Sequence, residues 1–406
     1  GGAGRNTPHL FGAGVLETIG LEKRDALLAL ADADRSGWIS LDEAARAPRA
    51  EVHPLPEAPA IDLGSFSDAD ANGRPDLDLV LFVWYVDAAG ERIPWARRLT
   101  DAGVAGYSFE YQLFGFGQRS TPGPGGIVST LRAFSANAFD IHSGLPAFDP
   151  VLNDEPRHDG LARVSLAGAQ QFASAVTRDR RRTRDDRGWS ADDPDRDGVL
   201  EEMTSGDLDL AEWFLLNHPR PARAASIGPG EAVFADLGCA GCHVPDWKIE
   251  RDRRFFDLEV APDPATGELA GRVVPLHGEP VVVRGIYSDL RTHDLGETFH
   301  EMQFDGSKIR RFRTPPLWGA GSTAPYGHDG ASLDLDAVIR RHGGEAAATA
   351  EAYRSLPPEK REAVLTFLRS LVLYSTETIP CDVDGDGKVA EHFEVAGADT
   401  GRERFN

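Results

Sequence analysis

The chain has 406 residues, with 43 Lys plus Arg against 65 Asp plus Glu and a formal charge of −22. At about 100–200 residues per domain, this length makes two or three domains, and 41% hydrophobic with 8% aromatic residues supply real cores and exclude disorder over most of the length. So acidic a chain repels phosphate backbones, which excludes general nucleic-acid binding, and no apolar run reaches the roughly 18 residues of a membrane span.

Residues 1–20 are Gly-rich and then apolar, with Leu10, Phe11, Val15, Leu16 and Ile19. Residues 21–47 read as helix, acidic loop, helix. The loop is DADRSGWISLDE, residues 32–43. Asp32, Asp34, Ser36, the Trp38 carbonyl, Ser40 and Glu43 stand where an EF-hand places its ligands, with Gly37 at the sharp turn and Ile39 at the apolar position. Hard oxygen donors at that spacing indicate Ca²⁺ rather than Zn²⁺ or Cu²⁺.

Residues 49–62 are Pro- and Ala-rich and read as a connector. A partial acidic loop follows. Asp68, Asp70, Asn72 and Asp76 are in place, but Leu79 replaces the terminal Glu. Leu77 to Val86 reads as a buried strand. Gly and Pro crowd residues 113–126, a surface loop, and 128–141 have helical spacing with Leu131, Phe134 and Ala138 on one side. Residues 178–187 are charged on every side and read as a solvated loop, with a docking patch for an acidic partner as the alternative. A third loop offers Asp193, Asp195, Asp197 and Glu201, and a fourth Asp382, Asp384 and Asp386. Asx turns are the competing reading of the three partial loops.

The composition shifts near residue 225, where a domain boundary is expected. Helices are predicted over 229–238, 334–341 and 358–373, the last with Val364, Leu365, Leu368, Leu371 and Val372 on one face.

Cys239-Ala240-Gly241-Cys242-His243 is a CxxCH motif. Two thiols can add across the vinyl groups of one haem, and the adjacent His then serves as proximal iron ligand. Zinc takes four ligands, and no second Cys pair exists; the one remaining cysteine, Cys381, has no partner here and reads as a free thiol. Covalent haem attachment takes place outside the cytoplasm, so a periplasmic, extracellular or cell-surface location is expected. The sixth ligand is open at this level. Met302 is the plausible thioether, because Met203 lies in an acidic loop. His293, His300, His328 and His342 are the histidine candidates, and a His at a helix end such as His342 is also an ordinary cap.

Residues 312–330 (FRTPPLWGAGSTAPYGHDG) and 337–345 (AVIRRHGGE) resemble the C-terminal haem domain of bacterial di-haem cytochrome c peroxidases. They are more similar still to the branch labelled di-haem oxidoreductase or thiol oxidoreductase. That branch also carries segments resembling Arg5 to Glu17 and Tyr287 to Asp294, so the resemblance spans most of residues 1–376. It implies that the electron-transfer haem takes its distal ligand from the position fourteen residues after the loop histidine. Here those residues are His328 and His342. Ordinary peroxidases carry Met at the ligand position, and the enzyme that matures a protein-derived quinone carries Tyr. His243 with His342 would make a bis-His, low-potential haem that passes electrons.

The same resemblance implies that Arg313 neutralises a haem propionate, a surface ion pair being the alternative. It places His328 near the haem edge, with Tyr326 and Trp318 as packing rather than redox relays. The family has two haems, whereas this chain has one CxxCH. The reading implied is a fragment whose first haem segment lies upstream; the alternative is a one-haem relative. The first haem would react with peroxide beneath a segment resembling 128–146, where His142 is a candidate acid/base catalyst beside its plainer reading as a structural His.

The expected fold is mainly α: a cytochrome c-like haem domain plus a helical, loop-rich N-terminal region with EF-hand-like calcium loops. The expected domains are 1–225, helical and calcium-bearing; 226–380, the haem domain; and 381–406, an acidic calcium-loop tail. The expected function is a haem c oxidoreductase of the di-haem peroxidase type, this chain carrying the electron-relay haem. The alternatives are a single-haem electron-transfer cytochrome with structural calcium sites, and a calcium-stabilised surface module without catalysis. The cofactors expected are one haem c in this chain, a second upstream, and Ca²⁺. The partners expected are a redox protein or a small oxidant such as peroxide.

Overall fold

The computed structural model describes residues 9–68, 75–90, 103–111, 130–139, 143, 145, 203, 205–221, 228–262, 269–302, 306, 308–373, 375–378, 391–395 and 398–399. Asp70, Asn72, His142, Asp193, Asp195, Asp197, Glu201, Cys381, Asp382, Asp384 and Asp386 lie outside the described residues, as do the loops 113–126 and 178–187.

The described helices are α1 (Ala13–Ala31), α2 (Leu41–Arg46), α3 (Leu131–Ala138), α4 (Ser205–Leu216), α5 (Gly230–Asp236), α6 (Leu335–Arg341), α7 (Ala347–Arg354) and α8 (Pro358–Arg369). Their ends follow local chemistry. Ser40 caps α2 by accepting the Glu43 N–H, while the Glu43 carboxylate accepts the Ser40 N–H, a reciprocal capping box. Asp334 caps α6 by accepting the Ala337 N–H at 2.7 Å. Pro358 opens α8, where its missing N–H costs nothing. No helix among the described residues is long and apolar enough to cross a membrane.

The expectation of a mainly α fold is overturned, because small antiparallel sheets run through both halves. Ile39–Ser40 pairs with Gly106–Tyr111, which pairs with Leu81–Val86. The stretch read as a connector contains the pair Ala50–Val52 and Ile61–Gly64. After the cysteine motif, Trp247–Ile249 pairs with Val281–Val283, and Asp252–Pro262 with Leu269–Gly278 in a long ribbon. Thr292–Asp294 pairs with Arg311–Arg313, and Glu301–Met302 with Lys308–Ile309. Ser375–Thr378, Glu391–Val395 and Ala398–Asp399 form a further sheet. Most of these strands are two to six residues long. A two-residue periodicity cannot declare itself over such a length, so partners distant in sequence decide them.

Two main cores organise the molecule. One gathers Val15, Ile19 and Leu27 of α1, Phe66, Leu77, Leu79 and Phe109, and then Trp247, Ile249, Val283, Ile286, Leu290 and Trp318. Residues from both sides of position 225 therefore share one interior. The other packs α5 to α8 around Phe234, Tyr287, Leu335, Tyr353, Val364, Phe367 and Leu368. The segment 286–290 touches both cores, so α1 supports it from behind.

Candidate functional site

α5 ends at Asp236, and the chain turns through Gly238, at φ +88°, into a 3₁₀ turn over Cys239–Gly241. Side chains with a Cβ resist that left-handed conformation, so glycine marks the break between helix and cysteines. The His243 N–H donates to the Cys239 carbonyl at 2.9 Å and closes the turn. Both thiols are free and half-buried. Burial pushes the Cys239 thiol up to about 11.

His243 Nδ1 lies 3.0 Å from the Tyr287 carbonyl oxygen. A carbonyl only accepts, so Nδ1 carries the hydrogen and Nε2 keeps a lone pair for a metal. Burial holds the imidazole pKa down to about 4, and the nearby His342 acts in the same direction. The ring is therefore neutral and ready to ligate at any physiological pH.

The Tyr287–Leu290 segment is the hub of the site. Tyr287 at φ 49° and Leu290 at φ 57° are left-handed without being glycine. Such strain persists only where the surroundings over-determine it. Here Asp289 N–H donates to the Cys242 carbonyl and Ser288 N–H to the Val244 carbonyl, both at 2.8 Å. Trp247 Nε1 donates to the Ser288 carbonyl, and Ser288 Oγ donates to the Thr314 carbonyl, both at 2.7 Å. The Tyr287 hydroxyl donates to the Glu231 carboxylate of α5. From α1, buried Lys23 donates to the Asp289 carbonyl at 3.1 Å and sits 4.2 Å above the Trp247 ring. Burial lowers the Lys23 pKa to about 7, with Asp289 opposing and Arg291 and Arg313 assisting.

Beside Cys242, His293 Nε2 is 2.8 Å from Asp289 Oδ2, and Nδ1 is 2.8 Å from Glu345 Oε2. Only the imidazolium can donate to both carboxylates. Burial disfavours that cation, yet Asp289 and Cys242 outweigh it and lift the pKa to about 10. With both nitrogens engaged, His293 offers no lone pair to a metal.

His342 caps the C-terminus of α6. Its Nδ1 lies 2.7 Å from the Val338 carbonyl, which again leaves Nε2 with the lone pair. Burial lowers its pKa below the usual histidine value. Phe299 meets the ring edge-on at 5.7 Å.

The other sequence candidates are placed differently. Met302 is 62% exposed. His300 Nε2 pairs with Asp294 at 2.8 Å. His328 stacks on Phe312 at 3.8 Å, with Nε2 3.7 Å from Glu301. The Tyr326 hydroxyl donates to the Ala320 carbonyl at 2.7 Å, and Trp318 is buried. Arg313 lies half-buried on the strand Arg311–Arg313, its charge felt at Lys23.

The donor set suits one large, apolar, iron-bearing ring. Two thiols and an imidazole with a free Nε2 share one turn, a second imidazole with a free Nε2 lies near the first, and Phe234 and Phe299 flank the two imidazoles. That is the chemistry haem c takes from a protein.

At the other end of α1, the loop 32–43 has a defined form. The Asp32 carboxylate accepts the Ser36 N–H at 2.9 Å and the Gly37 N–H at 2.8 Å. Buried Glu43 accepts the Ala33 N–H at 2.9 Å and the Ser40 hydroxyl at 2.7 Å. The Ser40 N–H leads the contacts that hold the Glu43 carboxyl below its usual range. Ligand atoms of Asp32, Asp34 and Glu43 lie within 4.8 Å of one another. Of the second loop, Asp68 and Asp76 are described, and their charges join burial in raising the Tyr107 pKa.

Sequence reasoning missed Lys23, Asp289 and Glu345 as parts of this site. Lys23 is buried against Trp247 and the Asp289 carbonyl, both distant from it in sequence. The one signal available was Tyr287-Ser288-Asp289-Leu290 itself, too polar for an ordinary core strand.

Residues 201–371 match a family model described as "Di-haem oxidoreductase, putative peroxidase". No curated protein matches the chain.

Proposed function

We propose that this chain, whose residues 201–371 match the di-haem oxidoreductase family model, carries a haem c held through Cys239 and Cys242, with His243 and His342 as its two axial ligands, and that it serves as an electron relay. When bound, the haem supplies one-electron transfer. The observation that carries the reading is shared by the two histidines: each gives its Nδ1 hydrogen to a backbone carbonyl, Tyr287 for one and Val338 for the other, and keeps Nε2 for iron. The chain's own residues do the rest. The Tyr287–Leu290 segment orients His243, and Phe234 and Phe299 keep water from the two imidazoles. Arg313 offers positive charge for a propionate.

The partners of this reading are a redox protein or a small oxidant such as peroxide, and its compartment is the periplasm or cell surface, because haem c is attached outside the cytoplasm. The second reading is electron transfer without peroxide turnover. Haem count and peroxide turnover on the complete gene product separate the two.

The direct test is a pyridine haemochrome assay with an EPR spectrum. One covalent haem per chain with a low-spin signal is expected, and His342→Gly should convert it to high spin. An unaltered low-spin signal in that variant would move the sixth ligand elsewhere.

We also propose that Asp32, Asp34, Ser36, the Trp38 carbonyl, Ser40 and Glu43 hold a structural Ca²⁺. EGTA should then lower Tm by about 5 °C or more, from the roughly 2.7 kcal/mol lost when an ion at a hundredfold its Kd is removed. An unchanged melting curve would leave the loop as a capping motif.

A further inference from the structure

We propose that the Asp329–Arg341 ion pair is a brace that keeps His342 in place as sixth ligand, so that breaking it opens the iron to small ligands. The inference rests on His342 being that ligand, and it concerns residues that do not themselves touch the haem.

Arg341 is the last residue of α6 and directly precedes His342. Its guanidinium is forked on one carboxylate, with Nη1 2.9 Å from Asp329 Oδ1 and Nη2 2.5 Å from Asp329 Oδ2. Nη2 also donates to the Thr298 carbonyl. The guanidinium lies 4.1 Å over the Phe299 ring, and that same ring meets His342 edge-on. A lone exposed ion pair would carry little weight. This one is bidentate, stacked on an aromatic face and largely covered, with the Arg341 side chain 14% exposed.

The far side of His342 is fastened as well. The Gly343 N–H donates to the Leu295 carbonyl at 3.0 Å, and Glu345 accepts the Asp294 N–H at 3.0 Å and Arg311 Nη1 at 2.8 Å. Residues 341, 343 and 345 thus grip the 294–299 segment, and His342 lies between two gripped neighbours. Movement of this backbone would carry His342 away from the position that its Nδ1–Val338 contact sets. Of the fastenings, only Asp329 ties α6 to the 326–330 turn, and its carboxylate is held there by the Ala331 N–H at 3.1 Å. Groups that orient a metal-binding His typically change metal affinity about 10- to 100-fold when lost.

The test uses the haem-loaded full chain and reads CO binding to the reduced protein together with high-spin EPR intensity. Asp329→Asn breaks the pair from its more exposed end, and Arg341→Gln from the other. Both should raise the CO-accessible fraction about 10- to 100-fold while covalent haem content and far-UV CD stay at wild-type levels. Arg341→Lys keeps the charge and loses the fork, and should fall between wild type and Arg341→Gln. His342→Gly is measured alongside. If it binds CO freely while Asp329→Asn and Arg341→Gln remain as closed as wild type, the brace is overturned and the ligand assignment stands. If His342→Gly itself stays closed, the ligand assignment fails and takes the brace with it.

Discussion

Glu17→Gln should remove a large pH-dependent loss of stability that the wild-type protein suffers between about pH 4.5 and 8. Glu17 is fully buried on α1 and accepts the Leu131 N–H at 2.7 Å. Among the described residues its Oε1 has no hydrogen-bond partner, and the equally buried Glu212 lies near. Arg132, also fully buried, pairs instead with Glu212 at 3.0 Å and Asp209 at 2.5 Å. Burial first, and the Glu212 charge second, lift the Glu17 pKa from 4.5 to about 8. Below pH 4.5 the carboxyl is protonated folded or unfolded, and its burial carries no charge penalty. As pH rises, the unfolded chain releases this proton and the folded one keeps it, so stability falls. Above about pH 8 both forms are ionised and the loss is complete, on the order of 5 kcal/mol. Glutamine has the same shape and never ionises. Urea unfolding of both proteins from pH 5 to 9 should show the variant gaining on wild type by several kcal/mol as pH rises. A difference that stays constant across that range would mean that Glu17 is already ionised in the fold.

The second large effect is expected at Gly230, where α5 crosses α8. A Cβ there would lie 2.0 Å from the Ala363 carbonyl oxygen and 2.8 Å from Phe367 Cβ. Neither can withdraw, because one is helix backbone and the other is the root of a fully buried side chain. Gly230→Ala must push α5 off α8 and should cost about 3 kcal/mol, the upper end of the overpacking range. α5 leads straight into the Cys239 turn, so covalent haem yield should drop with Tm. Equal melting points for Gly230→Ala and wild type would mean that the two helices slide apart at little cost.

How much of this was legible from the residues alone varies with distance along the chain. The helix ahead of the cysteines is predicted over 229–238 and runs Gly230–Asp236; the last strong helix is predicted over 358–373 and runs Pro358–Arg369. Both carry their signal within a dozen residues, as an apolar stripe and a Pro or Gly at the ends. The buried strand expected from Leu77 begins only at Leu81, because Leu77 makes a single bridge to Gly64 before the ladder to Gly106–Tyr111 starts. The β content escapes the sequence for a related reason. Pairs such as Thr292–Asp294 with Arg311–Arg313 are three residues long, and each half is unremarkable until the other stands opposite it.

The sequence by itself determined the chemistry available to this protein. Two thiols and a histidine in CxxCH, a second histidine after α6, and oxygen donors at EF-hand spacing are local facts, set by covalent order. Only the tertiary structure decided what those groups are tuned to do. Lys23 and Asp289 meet across 266 residues of chain, and His293 meets Glu345 across 52. Those meetings carry charges into the interior, give one histidine two carboxylate acceptors and leave two others with a single free nitrogen. Burial and the orientation of a partner's lone pair are properties of the packed molecule. They depend on which distant segments exclude water together, and no local pattern encodes that.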